Sequence, residues 1–327
     1  MPKNSTMNKD PMPQSSLKGV VEAPMKHVSE QTEARERRQR TTLICPDNDA
    51  EAHMILHLAE RMGMSTLRST QKHGAKLGQE PDLVERIAAT GKGEVWIVEM
   101  PGPELEAQLR ERKLNVNVID HHTYGPLNRA VDAATGVHNQ SSLEQFLVMA
   151  GITDEELVGW GYDPKTVRGV GIFDDRFAQG LRDAGYSVAE IAKVIDQITT
   201  FSQELNPNLA QVKEFAEKDW AAREEWQGYL LVRSTAPVDV RGAIGFLAIR
   251  EGLDTVPIIV SACGGKKLYV HEITSEVLGR LQKQIPTENT FTFGGTRCWG
   301  YDARAGEPTV TLEQVLKALN EEAKTTP

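Results

Sequence analysis

Val118-Ile119-Asp120-His121-His122 is an apolar stretch that runs straight into one carboxylate and two imidazoles. Strand-forming Val and Ile hold the backbone rigid, and the residues that follow place hard oxygen and borderline nitrogen donors together. That mixture suits Mn²⁺, Zn²⁺ or Fe²⁺ better than Ca²⁺. Three further acidic segments stand at comparable places: Asp47-Asn48-Asp49 after Thr41-Thr42-Leu43-Ile44-Cys45, Glu99 after Val95-Trp96-Ile97-Val98, and Asp174-Asp175-Arg176 after Gly169–Phe173. Acids at strand ends also cap the next helix, so any one segment alone fits plain capping. Together they point to a divalent-cation site.

Two weaker features accompany them. His53 and His57 stand at i, i+4 and could chelate a metal, but no third ligand of suitable spacing is near, and they read as ordinary polar-face histidines. Phe293-Gly294-Gly295-Thr296-Arg297 is a strand end followed by two glycines and a cation, where bare amides and a guanidinium could meet a phosphate. Lys266 and Lys267 after Gly264-Gly265 read as a solvated hairpin tip.

The elements that must carry these residues follow from periodicity. Thr41–Cys45 is a strand broken by Pro46. A helix from Ala50 to Met62 buries Ala52, Ile55, Leu56 and Ala59 at i, i+3, i+4, i+7 and ends at Gly63. Val95–Glu99 is a second buried strand, Pro103–Lys113 a helix with proline in its first turn, and Val116–Asp120 a third strand. This strand–helix–strand rhythm with short connections predicts a parallel sheet with right-handed crossovers, which sets the first three acidic segments along one sheet edge. Helix is expected at Ser141–Ala150 and over most of Ser187–Trp226, broken at Asn206-Pro207. Its last piece, Leu209–Trp226, is expected to connect two domains. Beyond it lie strands at Tyr229–Arg233, Val256–Ala262, Lys267–Ile273 and Thr290–Phe293. Helices are expected at Arg241–Arg250, Ser275–Gln284 and Thr311–Ala323.

The expected fold class is therefore α/β, with a parallel-sheet N-terminal domain and a smaller mixed α/β C-terminal domain across a cleft. The division is a disordered tail at 1–40, a catalytic domain at 41–205, a connecting helix at 206–227 and a substrate-binding domain at 228–327. The tail ends in the charge run Glu33–Arg40, expected to be a solvated arm. With 327 residues, 39% hydrophobic and 25% charged, the chain has the composition of a globular protein, and no apolar run approaches a membrane span. A net charge of −9 argues against a grip on long duplex nucleic acid. Three scattered cysteines, Cys45, Cys263 and Cys298, offer no disulfide framework, which fits a cytoplasmic setting.

Over roughly residues 41 to 300 this pattern resembles the DHH phosphoesterases. The likeness rests on Pro46-Asp47-Asn48-Asp49, Glu99, Asp120-His121-His122, Asp175 after Gly171-Ile172, the helix start Ser141-Ser142-Leu143-Glu144, and Gly294-Gly295. The resemblance implies a cleft binding two Mn²⁺ ions, with Mg²⁺ or Co²⁺ as substitutes, and hydrolysis of phosphodiester or phosphoanhydride bonds. Carried over, Asp47 and Glu99 would hold a first ion, and Asp49, Glu99, His121 and Asp175 a second. Asp120 would support the site, and His122 would face the substrate phosphate. Gly294, Gly295 and Arg297 would touch the substrate from the other domain. Spacing from Gly171-Ile172 favours Asp175 over Asp174.

Three positions depart from the family pattern. Leu43 stands where a histidine usually opens the first motif, so a ligand of the first ion is missing, and Cys45 is expected on the opposite strand face, unable to replace it. Glu99 stands where aspartate is usual, and Thr296-Arg297 follow the glycine pair in place of a histidine. The expected function is hydrolysis of short oligonucleotides or small nucleotides to 5′-monophosphates, by a chain that could act as a homodimer. The alternative is a degenerate nucleotide-binding or regulatory protein.

Overall fold

The computed structural model describes residues 31–205, 209–253, 255–286, 288–293, 297–303 and 309–320. A helix at residues 31–39 (α1) leads into β1 (Thr41–Pro46), α2 (Ala50–Arg61), β2 (Ser65–Ser69), α3 (Leu83–Thr90), β3 (Glu94–Val98), α4 (Pro103–Glu111) and β4 (Asn115–Ile119). The four strands are all parallel, in the order β2-β1-β3-β4. The parallel sheet read from the sequence is present, with β2 as an edge strand that its short, mostly half-buried sequence does not announce.

Both faces of this sheet are covered, which is why β3 is apolar without alternation. Leu43, Cys45, Trp96 and Val98 join a core with α2 and five later helices, while Ile44, Val95 and Ile97 pack against Leu83, Ile87 and Leu109 of α3 and α4. Leu43 and Cys45 thus share a face, correcting the expectation that they oppose each other. Residues two apart in a strand point the same way. The predicted stripe of α2 is buried as expected. The fully buried Ile55 and Leu56 contribute about 1.5–3 kcal/mol each. Asp49 caps this helix by accepting from the Ala52 N–H, and Gly63, at φ +69°, follows its end.

After a two-stranded ribbon, β5 (Thr123–Tyr124) with β6 (Leu127–Asn128), come α5 (Ser142–Ala150), α6 (Asp154–Gly159), α7 (Pro164–Asp183) and α8 (Val188–Leu205). The stretch Gly169–Phe173, expected to lead into an acidic turn, lies inside α7, and Asp174 and Asp175 sit on that helix just before a kink at Phe177 (φ +57°). Gly171 is there for close approach, since a Cβ would collide with Ser141 Oγ and come within 3.0 Å of Glu51 Oε1.

The charge run before β1 also differs from expectation. Residues 31–39 form α1 and Arg38 is buried. Its guanidinium donates to the carbonyls of Ala150 and Gly151 at the end of α5 and to Glu156, a favourable place for a cation. Those partners lie more than a hundred residues away, so local sequence shows only an unpaired charge.

The second unit holds α9 (Leu209–Ala221), β7 (Glu224–Trp226), β8 (Tyr229–Arg233), α10 (Arg241–Arg250), β9 (Ile258–Ala262), β10 (Lys267–His271), α11 (Ser275–Gln284), β11 (Thr290–Phe293), β12 (Cys298–Asp302) and α12 (Leu312–Asn320). Its sheet runs β11-β12-β10-β9-β8-β7 and is mixed: β8 and β9 are parallel, and the other pairs are antiparallel. The connecting helix ends earlier than expected. Glu224–Trp226 pairs back on β8 across Gln227-Gly228, both at positive φ, the two-residue turn that hairpins favour. The expected break at Asn206-Pro207 lies outside the described residues. Ile249 and Phe246 of α10 enter the first unit's core, where Phe246 meets Phe173. Among the described residues no helix is long and apolar enough to cross a membrane.

Candidate metal centre

In a parallel sheet, the side chains that follow the strands meet at its C-terminal edge. They meet best where the strand order reverses and adjacent crossovers leave in opposite directions. Here that point lies between β1 and β3. Asp49 follows β1, Glu99 follows β3, and Asp120-His121-His122 follows β4. Glu99 has φ +48°, uncommon for any residue but glycine, while its N–H still donates to Ile119 O at 3.1 Å and prolongs the β3–β4 ladder. Strain of this kind gathers at functional positions.

His121 is the hub, with its side chain 3% exposed. Its Nε2 lies 3.4 Å from Glu99 Oε1, 3.4 Å from Asp174 Oδ2 and 3.7 Å from Glu51 Oε2, and its Nδ1 lies 3.6 Å from Asp175 Oδ1. These separations are long for hydrogen bonds. Glu51 Oε2, Glu99 Oε1, Asp120 Oδ2 and both His121 nitrogens are buried without a hydrogen-bond partner. Buried polar atoms are rarely left so, and a divalent cation on the Nε2 side of His121 would satisfy that nitrogen together with Glu51 and Glu99. One donor atom each from Glu99, His121, His122 and Asp174 lie within 4.8 Å of one another, and carboxylates with imidazoles suit Mn²⁺ or Zn²⁺.

Glu99 and His121 meet at the hub. Asp49 is beside it, half-buried, one oxygen spent on capping α2. Asp175 faces Nδ1 of His121, while Asp174 is the acid on the Nε2 side with Glu99, so the helix face presents both. Asp47 is not in the cluster: its carboxylate accepts from Arg68 at 2.8 Å and contacts His53 Nδ1 at 2.7 Å. Asp120 Oδ1 accepts from the His122 N–H at 2.9 Å and lies 3.2 Å from His122 Nδ1. Arg297 pairs with Glu272 at 2.9 Å, and Gly294 and Gly295 lie outside the described residues. Sequence reasoning missed Glu51. It accepts from the Leu143 N–H at 2.8 Å through Oε1 and turns Oε2 towards His121. A glutamate in a first helical turn reads as dipole complementation, and nothing local says it is buried.

The electrostatics are those of crowded acids around one imidazole. Burial, then the charges of Asp174 and Glu99, raises the carboxyls of Asp49 and Glu51 well above their usual range. Burial acts the same way on Glu99, but the close approach of His121, with the charge of His122, outweighs it and brings Glu99 down to about 2. For His121 burial pulls downward, and Asp174, Asp175 and Glu99 overcome it and push the ring's pKa up in the metal-free protein.

A pH dependence follows. Asp49 and Glu51 keep protons that the unfolded chain releases near pH 4, so above about pH 4.5 the metal-free folded state binds more protons and loses stability as pH rises. His121 has a raised folded pKa, so its stabilisation is full below about pH 6.5 and is lost as pH climbs above that. Glu99 acts oppositely, but only as pH falls from about 4 towards 2. Metal binding needs deprotonated ligands. Thermal unfolding of EDTA-treated protein should therefore show a falling midpoint between about pH 5 and pH 8, and saturating Mn²⁺ should abolish or invert that slope. A flat metal-free profile would contradict the buried cluster.

Beside the cluster lies a cavity of about 1060 Å³ whose walls include His122, Asp175, Arg168, Arg176, Tyr186 and Phe293. Phe293 comes from the second unit, so the cavity is bounded by both.

No protein-family model matches the sequence, and no curated protein matches it. Among solved structures the chain is similar to the exonuclease RecJ bound to manganese, at 14% identity over 97% of each chain with a TM-score of 0.40. It is also similar to RecJ from Thermus thermophilus in complex with Mn²⁺. Identity there is 14%, over 92% of this chain and 55% of that one, with a TM-score of 0.41. The chain thus spans about half of the Thermus protein's length. A third is the DHH domain of a member of a ribosomal-protein family, at 13% identity over 93% and 92%, with a TM-score of 0.45. The matches thus include a DHH domain, the family that the motifs resemble. Likenesses this distant assign no residue a role. The chemistry rests on the cluster itself.

Proposed function

We propose that the chain is a metal-dependent phosphodiesterase that hydrolyses short oligonucleotides or small nucleotides to 5′-monophosphates. The observation that carries this reading is the set of buried, unbonded carboxylate oxygens around His121, opening onto a cavity with cations and aromatic rings in its walls. Glu99, His121 and Asp174 would hold the ion, with Asp49, Glu51 and Asp175 alongside and His122 left to face the substrate. When bound, such an ion activates water and offsets negative charge gathering on a phosphoryl group.

The chain's own residues divide the remaining work. Asp120 fixes His122 through Nδ1, which leaves Nε2 to donate to a nonbridging oxygen or to pass a proton to the leaving group. Burial lowers the His122 pKa, but the Asp120 hydrogen bond and Glu99 outweigh it and shift it upward, which favours the proton-donating form. Arg168 and Arg176 give the acidic pocket a cationic rim for a phosphate, and Tyr186 and Phe293 offer faces to a base. The cavity suits a small or short substrate.

Two observations favour one ion here rather than two. Leu43 is fully buried in the apolar core, and Asp47 is committed to His53 and Arg68. A chain with one ion and little turnover is the binding-protein reading, and the assay separates it from the enzyme. A Mn²⁺-supplemented screen of di- to pentanucleotides, cyclic dinucleotides and pyrophosphate, with Asp49→Ala as control, should show 5′-monophosphates released by the wild type only. Metal uptake with no hydrolysis of any substrate would support the binding protein instead.

Glu51→Gln tests the residue that motif reading passed over. The amide oxygen can still accept from Leu143, so the fold should stand while Mn²⁺ affinity, read by calorimetry, falls about 10–100-fold. Unchanged affinity would make Glu51 a purely structural acceptor.

A further inference from the structure

We infer that His53, His57 and Glu204 form a second divalent-cation site, of zinc type, that ties α2 to the end of α8, with Asp47 as the carboxylate behind His53. Nothing in the proposed hydrolysis requires it. His53 and His57 lie one turn apart on α2, their ring centroids 4.4 Å apart, and Phe201 of α8 flanks both at 4.8 and 5.3 Å. One donor atom from each of His53, His57 and Glu204 falls within 4.8 Å of the others.

The decisive feature is the hydrogen-bond inventory of His53, whose side chain is 5% exposed. Its Nδ1 lies 2.7 Å from Asp47 Oδ1 and its Nε2 lies 3.0 Å from Glu204 Oε2. A neutral imidazole carries one N–H and one lone pair, and a carboxylate can only accept. With the ring neutral, one of these two contacts sets lone pair against lone pair. A cation between Nε2 and Glu204 removes that conflict: the N–H on Nδ1 goes to Asp47, and Nε2 becomes a ligand. Metal-bound histidines are commonly oriented by such a carboxylate.

The donor set agrees. Two imidazoles and one carboxylate, with a fourth position open, match zinc. Ligands about 2.0–2.2 Å from zinc at tetrahedral angles stand about 3.4 Å apart. The His53 Nε2–Glu204 Oε2 separation of 3.0 Å is close to that value, and the Glu204 side chain, 52% exposed, is free to adjust. Arg68 sits on the far oxygen of Asp47, away from His53.

The test uses the full-length protein, stripped with EDTA, dialysed and titrated with Zn²⁺ alone, with bound metal counted by atomic emission. His57→Ala and Glu204→Gln should each bind one Zn²⁺ fewer per chain than the wild type. Asp174→Asn, which alters the other cluster, should keep this ion. Glu204 is exposed enough for the Gln variant to fold even if His57→Ala does not. Equal Zn²⁺ counts in wild type and Glu204→Gln would overturn the inference and leave an imidazolium between two carboxylates as the resolution. Because Asp174→Asn acts on hydrolysis and Glu204→Gln on this ion, either reading can fail without the other.

Discussion

His121→Ala should lose hydrolysis almost entirely, with kcat/KM falling about 1000-fold or more, about 4 kcal/mol of transition-state stabilisation. The ring stands between Glu99 and Asp174 on one side and Asp175 on the other, so the substitution removes a nitrogen ligand and the hub that sets the acids around it. The metal-free variant should also be less stable at neutral pH by about 3–5 kcal/mol, because it leaves buried carboxylates without their facing cation. Steady-state kinetics with Mn²⁺ and urea unfolding without it measure the two effects separately. Turnover within a few-fold of wild type would remove His121 from the centre and with it the proposed hydrolysis.

Leu43→His should destabilise the chain by about 3 kcal/mol without strengthening metal binding. The family pattern suggests that a histidine here restores a missing ligand, but the surroundings argue otherwise. Leu43 is fully buried, pairs in register with Trp96 and belongs to the apolar core shared with α2. An imidazole placed there forfeits apolar packing and leaves polar nitrogens without partners. Asp47, its intended co-ligand, is already held by His53 and Arg68. Urea midpoints and Mn²⁺ calorimetry on the variant give the answer. A stable protein with tighter Mn²⁺ binding would mean that this core opens to form the first-motif site.

The two substitutions bear on different parts of the design. His121 lies where three strand ends converge, and Leu43 where the sheet has closed over a position that a two-ion centre would need. On the proposed reading, a chain that keeps the convergent acids while filling the neighbouring position with leucine would hold one ion at this place. The His53 cluster then accounts for where the Asp47 carboxylate has gone.

What the sequence determined by itself is the sheet and its acidic edge. Three apolar strands, each ending in an acid or an imidazole and each joined by a helix of the right period, permit only a parallel arrangement, and parallel strands deliver their ends to one side. Asp49, Glu99 and His121 were legible for that reason, because strand direction and residue order are local properties. Which face a helix turns inward is not local. Gly171 lets α7 approach Ser141 and Glu51, and the same helix then presents Asp174 and Asp175 together, so spacing alone could not choose between them. Glu51 becomes part of the centre only because α5 supplies the Leu143 N–H, 92 residues on. His53 finds Glu204 across 151 residues, the third ligand absent from its own neighbourhood. Packing decided these because it is governed by shape and burial between distant elements, and neither is written in the spacing of neighbours.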